Sequence, residues 1–245
     1  PKFFHAADAL AAYRNIRPVV LTLGDTIFGE RRAHVHLIAP PTFLPRDIAV
    51  KECPPVQADT PLTIGFFGQF RREKRLEDLL KVYLAGHYTR PVQLLVQGST
   101  MHEEDAAAFE RIIAAYEGQG VTFLHQGLIG AAWQRAIASV HALLLPYSAP
   151  RYRYHWGAML FTAIGFQKPV LTSDDMNPEV FAHYPVGMTF PSGDMAALGN
   201  ALETFINEYD TRAPLFHAAL ARAAEHYAPA CFVKRIMEVI EGKDV

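Results

Sequence analysis

Eight residues, Gly68-Gln69-Phe70-Arg71-Arg72-Glu73-Lys74-Arg75, follow a short apolar run and lead into a helical pattern. Glycine permits a tight exit from a strand, and four cations then stand at or before a helix start. Cations are out of place there on electrostatic grounds, because a helix N-terminus already carries partial positive charge. An anionic ligand accounts for them; a solvated basic loop is the plain alternative. Lys74 is expected to face solvent.

A second concentration lies in PYSAPRYRYHWGAMLFTAIGFQKPVLTSD, Pro146 to Asp174. Arg151, Arg153 and His155 precede Gly157, at the start of an apolar helix whose first amides have no partner within it. Flanking arginines with such amides make a phosphate site. Tyr154 and Trp156 are either packing or a platform for a base or sugar ring, and the arginines of a plain surface loop would simply extend to water. Two further strand exits are similar in form. In Gln97-Gly98-Ser99-Thr100 the hydroxyls suit capping of the next helix, and His125-Gln126-Gly127 carries a weaker signal.

Absent motifs narrow the chemistry. No Asp-x-Asp pair suggests a metal bridging a diphosphate, no G-x-G-x-x-G follows a strand, and no Walker A lysine is present. His34-Val35-His36 would put both imidazoles on one strand face, but with no third ligand an ordinary half-exposed strand is the better reading.

The elements that must position these residues alternate. Strands are predicted at Leu62–Phe67, Val92–Val96, Val121–Leu124, Ala142–Leu145, Pro169–Thr172 and Gly187–Phe190. Helices are predicted at Leu76–Ala85, Glu104–Tyr116, Ala131–Ala138 and Gly157–Gly165, with Val180 and Phe181 in a shorter unit. Three more close the chain, near Met195–Glu208, Ala213–His226 and Phe232–Glu241. Strands reading VQLLVQ and ALLLP are nearly continuous apolar, as parallel strands covered on both faces are. The pattern predicts a doubly wound, mostly parallel α/β sheet, Rossmann-like, whose ligands sit outside the carboxyl ends of the strands.

Residues 1–58 read differently. A helix near Phe3–Tyr13 and strands near Val19–Leu23 and His34–Ile38 precede a proline-rich stretch, APPTFLPRDIAVKECPP, which has the character of a linker. The segment is too short for a complete α/β domain. The chain opens Pro-Lys without methionine, which suggests a trimmed protein, and its alanine-rich closing helices are expected to pack against the missing half.

The bulk composition is that of a soluble globular protein: 245 residues, half of them apolar, a fifth charged, with a net charge of −2. That balance gives no overall basic field for nucleic acid, so any anion site is local. Cys53 and Cys231 are far apart and in no metal or redox spacing, which favours free thiols and a cytoplasmic setting. No apolar run approaches the ~20 residues of a membrane span.

The segments, in order, resemble the carboxyl-terminal, donor-binding domain of GT-B glycosyltransferases, the retaining family 4 (group 1) enzymes, over roughly residues 60–240. TIGFFGQFRREKRLEDLLKVY is similar to that family's strand, Gly-Arg turn, Glu-Lys-Gly and helix. VTFLHQGLIGAAWQRAIASVHALLLPYS is similar to its next strand, short helix and strand. YHWGAMLFTAIGFQKPVLTSD lies where the family has its Glu-x7-Glu unit, and GMTFPSGDMAALGNAL resembles its closing Gly-Asp unit.

On this resemblance residues 1–58 are the remnant of the amino-terminal acceptor domain plus a linker, and residues 59–245 the donor-binding domain. It implies a metal-independent, retaining hexosyltransferase without a cofactor, working between a nucleoside diphosphate sugar and a glycan or lipid-linked acceptor, with peripheral membrane association through the missing domain. Lys74 aligns with the family's diphosphate-holding lysine. The family's arginine falls on Gln69, and its two glutamates fall on Tyr154 and Thr162, so both carboxylates are absent. From the residues themselves and the resemblance taken together, Lys74 and Arg153 are the candidate catalytic residues. The candidate donor-binding residues are Gly68, Gln69, Arg71, Arg72, Gln97, Gly98, Arg151, Tyr154, His155, Trp156, Gly157 and Thr162. Two other readings stay open: a catalytically degenerate GT-B-like module that binds a nucleotide sugar or a partner glycosyltransferase, and an unrelated doubly wound protein such as a dinucleotide enzyme.

Overall fold

The structure, a computed structural model, describes residues 2–23, 32–46, 48, 60–71, 74–148 and 156–242. The chain forms two compact units, one from residues 1–42 with 224–245 and a larger one from residues 43–223.

The larger unit is built on six strands, all parallel: β3 (Leu62–Phe66), β4 (Val92–Gly98), β5 (Val121–His125), β6 (Ala142–Leu145), β7 (Val170–Ser173) and β8 (Gly187–Phe190). Their order across the sheet is β5-β4-β3-β6-β7-β8. From β3 the chain winds outward one way through β4 and β5, returns to the other side of β3 and winds outward again through β7 and β8. This is the doubly wound, Rossmann-like arrangement expected from the sequence. Burial explains the apolar runs: Leu62, Ile64 and Phe66 of β3 and all four residues of β6 are at most 2% exposed, because helices cover both faces of the central strands.

The connecting helices are α2 (Leu76–Ala85), α3 (Glu103–Tyr116), α4 (Gly130–Ala138), α5 (Ala158–Gly165), α6 (Pro178–His183) and α7 (Met195–Asn207), and α8 (Tyr209–His226) follows. Helix α5 is buried from Leu160 through Gly165, so its sequence is apolar on every side. At its end a Cβ on Gly165 would fall 2.0 Å from the Phe43 carbonyl oxygen, so only glycine lets the chain at Phe43 pass so close.

Strand β4 runs two residues beyond its predicted end, and Gln69 and Ser99 extend the β3–β4 ladder as an isolated bridge. Helix α8 begins four residues before its predicted start and contains Pro214. The reason is tertiary: Tyr209 is buried, its hydroxyl donates to the His141 carbonyl at 3.1 Å and its ring packs edge-on against Phe205.

In the smaller unit α1 (Lys2–Leu10) accompanies two parallel strands, β1 (Val19–Leu21) and β2 (His36–Ile38), and α9 (Pro229–Ile240) packs on β2. Pro229 opens α9, where its missing N–H costs nothing. His34 lies ahead of β2 rather than in it, and its Nε2 is 3.0 Å from the Ala7 carbonyl. Cys231 is a free, exposed thiol; Cys53 and much of the proline-rich stretch lie outside the described residues. Among the described residues no helix is long and apolar enough to cross a membrane.

Candidate functional site

The strand order reverses between β3 and β6. Loops leaving the carboxyl ends of these two neighbours go opposite ways, and the crevice between them is where such sheets bind ligands. Phe66 closes β3, and Tyr147 follows β6 by two residues. Between them sits the ammonium of Lys74, 5.8 Å from the centroid of the Phe66 ring and 5.3 Å from that of Tyr147.

Lys74 is 7% exposed and so does not face solvent, as its place in a cationic loop had suggested. Its charge lies beside two aromatic rings, which attract cations electrostatically. Gly68 makes room for it. Its φ of 109° lies in the glycine region, and an added Cβ would come 3.0 Å from the Lys74 Nζ.

Gln97 organises the neighbouring strand exits. It is 2% exposed; its Oε1 accepts from the Gly68 N–H at 3.1 Å and its Nε2 donates to the Gln126 carbonyl at 2.7 Å. One side chain thus joins the exits of β3, β4 and β5. Gly98 is needed for packing, since a Cβ there would lie 2.6 Å from the Phe109 ring of α3. Gln69 Oε1 accepts two bonds from the Arg71 guanidinium, at 3.2 and 2.9 Å, so these two are brought together on the exposed side of the loop. Arg72 lies outside the described residues.

The hydroxyls of Ser99 and Thr100 do not cap α3. Its N-cap is His102, with no side-chain cap bond, and the acidic first turn Glu103, Glu104 and Asp105 complements the helix dipole instead. The Thr100 hydroxyl lies 3.3 Å from His125 Nε2.

Of the stretch from Pro146 to Asp174, Arg151, Arg153, Tyr154 and His155 lie outside the described residues. Trp156 stacks on Phe43, with centroids 5.3 Å apart and planes within 11°, and meets Phe161 edge-on at 5.9 Å. The indole is therefore engaged in packing. The Gly157 amide does not stand open at the helix start: it donates to Asn177 Oδ1 at 2.8 Å in a buried setting. A Cβ on Gly157 would come 2.5 Å from Met176 Sδ and 2.7 Å from Asn177 Oδ1, so the glycine serves this close approach. Thr162 is 2% exposed and its hydroxyl donates back to the Ala158 carbonyl at 2.9 Å, within its own helix.

Sequence reasoning passed over two participants. Asn177 holds the start of α5 from the turn after β7 while adopting a left-handed φ of 45°. Asparagine tolerates that conformation, and the Asn-Pro pair at 177–178 is a turn signal that marks it. Tyr147 supplies one face over Lys74, and Ser173 Oγ donates to its carbonyl. Nothing local distinguishes Tyr147 from its neighbours.

Beside the Lys74 loop, between α2 and α3, a cavity of about 590 Å³ is bordered by Phe70, Arg71, Arg75, Arg111 and Tyr116. Lys74 is not among its lining residues. Arg75 is paired with Asp78, Nε to Oδ2 at 2.9 Å. The described cations of this loop therefore divide, with Lys74 turned into the crevice between β3 and β6 and Arg71 and Arg75 toward the helices.

The family described as glycosyl transferases group 1 matches residues 54–221. No curated protein matches the chain. Among solved structures, Anabaena Alr3699/HepE in complex with UDP and glucose superposes with a TM-score of 0.72 at 15% identity, over 98% of this chain and 66% of that one. The apo lipopolysaccharide outer core galactosyltransferase WaaB gives 0.64 at 19% identity, over 91% and 61%. Sucrose-phosphate synthase from Thermosynechococcus elongatus gives 0.65 at 19% identity, over 91% and 57%. The chain thus spans about three fifths of the length of these proteins, and at such identities the likeness is one of fold.

Proposed function

Because the chain belongs to the glycosyl transferases group 1 family, we propose that its larger unit is the half of a GT-B glycosyltransferase that holds a nucleoside diphosphate sugar during sugar transfer. The observation that carries this reading is the Lys74 ammonium, buried between Phe66 and Tyr147 where the strand order reverses. When the bond between the sugar and the diphosphate breaks, negative charge develops on the departing phosphate oxygen. A fixed cation in a site of low dielectric stabilises that charge more than a mobile surface lysine would. Lys74 fits this role, with Gly68 shaping the approach. We take the reaction to be metal-independent and retaining, with a glycan or lipid-linked acceptor held by the other half of the enzyme. One protein of this fold, Anabaena Alr3699/HepE, was captured with UDP, which makes UDP the first nucleotide to try.

A specific observation favours a second reading. The Thr162 hydroxyl donates to its own helix backbone, and Tyr154 brings no carboxylate. A module that binds a nucleotide sugar without transferring it would look the same at these two positions.

Calorimetric titration with UDP and GDP, together with an assay of donor hydrolysis, separates the two. Binding with turnover supports the transferase. Binding without turnover, in the protein joined to its acceptor half, supports the binding module. Absence of binding by any nucleoside diphosphate sinks both.

A further inference from the structure

Among the described residues three that are not glycine have positive φ, and one of them is Arg75, at 52°. Left-handed backbone is unfavourable for a side chain with a Cβ, and an arginine has no local hydrogen bond to offset it as asparagine has. The residue immediately follows Lys74 and sits at the N-cap of α2 without capping it through its side chain.

The guanidinium reaches elsewhere. Its Nε donates to Asp78 Oδ2 at 2.9 Å in the first turn of α2, and its Nη1 donates to the Gly193 carbonyl at 3.0 Å, 118 residues along the chain. Gly193 belongs to the turn between β8 and α7, and that turn is itself held: the Asp194 side chain caps α7 by accepting from the Ala197 N–H at 2.9 Å. Helices α2 and α7 pack together. The Arg75 carbonyl accepts from the Leu79 N–H at 3.0 Å and so begins the α2 ladder, while the Lys74 N–H donates to the Arg71 carbonyl at 3.0 Å. Lys74 thus lies between two hydrogen-bonded peptide units, and the second belongs to a left-handed residue whose guanidinium holds two partners.

We propose that Arg75 is a positioning residue: its tether to Asp78 and Gly193 holds the left-handed turn that aims the Lys74 ammonium between Phe66 and Tyr147. This rests on the reading of Lys74 as the diphosphate-holding group. In an extended or right-handed conformation at residue 75 the chain would enter α2 from another direction and carry Lys74 with it. A tethered arginine and a glycine reach the same geometry by different means, the first by anchoring the turn and the second because it has no Cβ to strain.

The test uses Arg75→Ala and Arg75→Gly beside the unchanged protein, with two readouts. The first is UDP affinity by calorimetry. Alanine keeps the strain and loses the anchor, so binding should weaken about tenfold, in line with the loss of most of a charge-assisted hydrogen bond. Glycine should return it to within about threefold of the unchanged protein. The second is the Lys74 Hε proton resonance, assigned by comparison with Lys74→Arg. Two nearby aromatic faces shift it away from ordinary lysine values, and it should move to those values in Arg75→Ala and return in Arg75→Gly. An unmoved resonance in Arg75→Ala, or a glycine variant no better than the alanine one on both readouts, overturns the proposal. If the unchanged protein fails to bind UDP while the resonance behaves as expected, the role of Arg75 stands and the nucleotide reading of Lys74 falls.

Discussion

At the scale of single residues, chemistry and packing are divided differently from what residue type alone suggests. Glycine, glutamine and tryptophan of the candidate site are engaged in packing and in hydrogen bonds within the protein, and Lys74 is the described cation turned into the crevice. Lys74→Met should show this division. Methionine keeps a flexible apolar stem of similar length between Phe66 and Tyr147, so urea unfolding should change by less than about 1.5 kcal/mol. UDP affinity should fall by roughly tenfold or more, because a hydrogen bond to a charged group contributes ~1.5–3 kcal/mol. Equal UDP binding in the two proteins would remove Lys74 from the site. Lys74 was legible in the sequence as a cation before a helix, but its burial was not. Whether a lysine lies in water or between two rings depends on Tyr147, 73 positions away in the sequence.

Elements expose the constraints that fix the sheet. The ladder between β7 and β8 pairs Val170 with Gly187. A Cβ on Gly187 would fall 1.8 Å from the Val170 carbonyl oxygen and 2.6 Å from its nitrogen. Backbone cannot yield as a side chain can, so Gly187→Ala should destabilise the protein by about 1–3 kcal/mol in urea unfolding. An unchanged midpoint would mean that β8 shifts freely.

Tyr83 on α2 offers a test in pH. Its buried hydroxyl donates to the Val92 carbonyl at 3.2 Å and the Gly120 carbonyl at 2.9 Å. Burial pushes its pKa from 10.0 up to about 12. Folding therefore favours the neutral phenol, and this contribution is complete below pH 10 and is lost as pH rises through about 12. Tyr83→Phe should cost roughly 1–2 kcal/mol at neutral pH and should show a shallower loss of stability above pH 10 than the unchanged protein. A parallel decline in both would exclude Tyr83 as a source of the alkaline limb. Helix and strand identities were legible here because period and composition are local properties. The start of α8 was not, because the contact of Tyr209 with His141 and Phe205 outweighs the proline at 214.

The whole molecule adds a linkage argument. If the larger unit holds a nucleoside diphosphate in its folded state only, UDP at a hundred times its dissociation constant should stabilise it by ~2.7 kcal/mol. For a unit of this size, where each kcal/mol is worth about 2–4 °C, that raises Tm by roughly 5–11 °C. Calorimetry without such a shift, at a concentration where titration shows saturation, would mean that the unfolded chain binds UDP as well.

The sequence by itself determined the α/β alternation, the parallel sheet and the strand exits where cations gather, since each follows from side-chain pattern over a few neighbouring residues. Tertiary structure decided which groups are turned to the crevice and which are engaged within the protein. Asn177 occupies the Gly157 amide, Gln97 joins three strand exits, Thr162 bonds to its own helix, and Phe66 with Tyr147 encloses the Lys74 ammonium. Each of these depends on partners brought together by the order of strands in space, and hydrogen bonds over such separations leave no periodic trace in the chain.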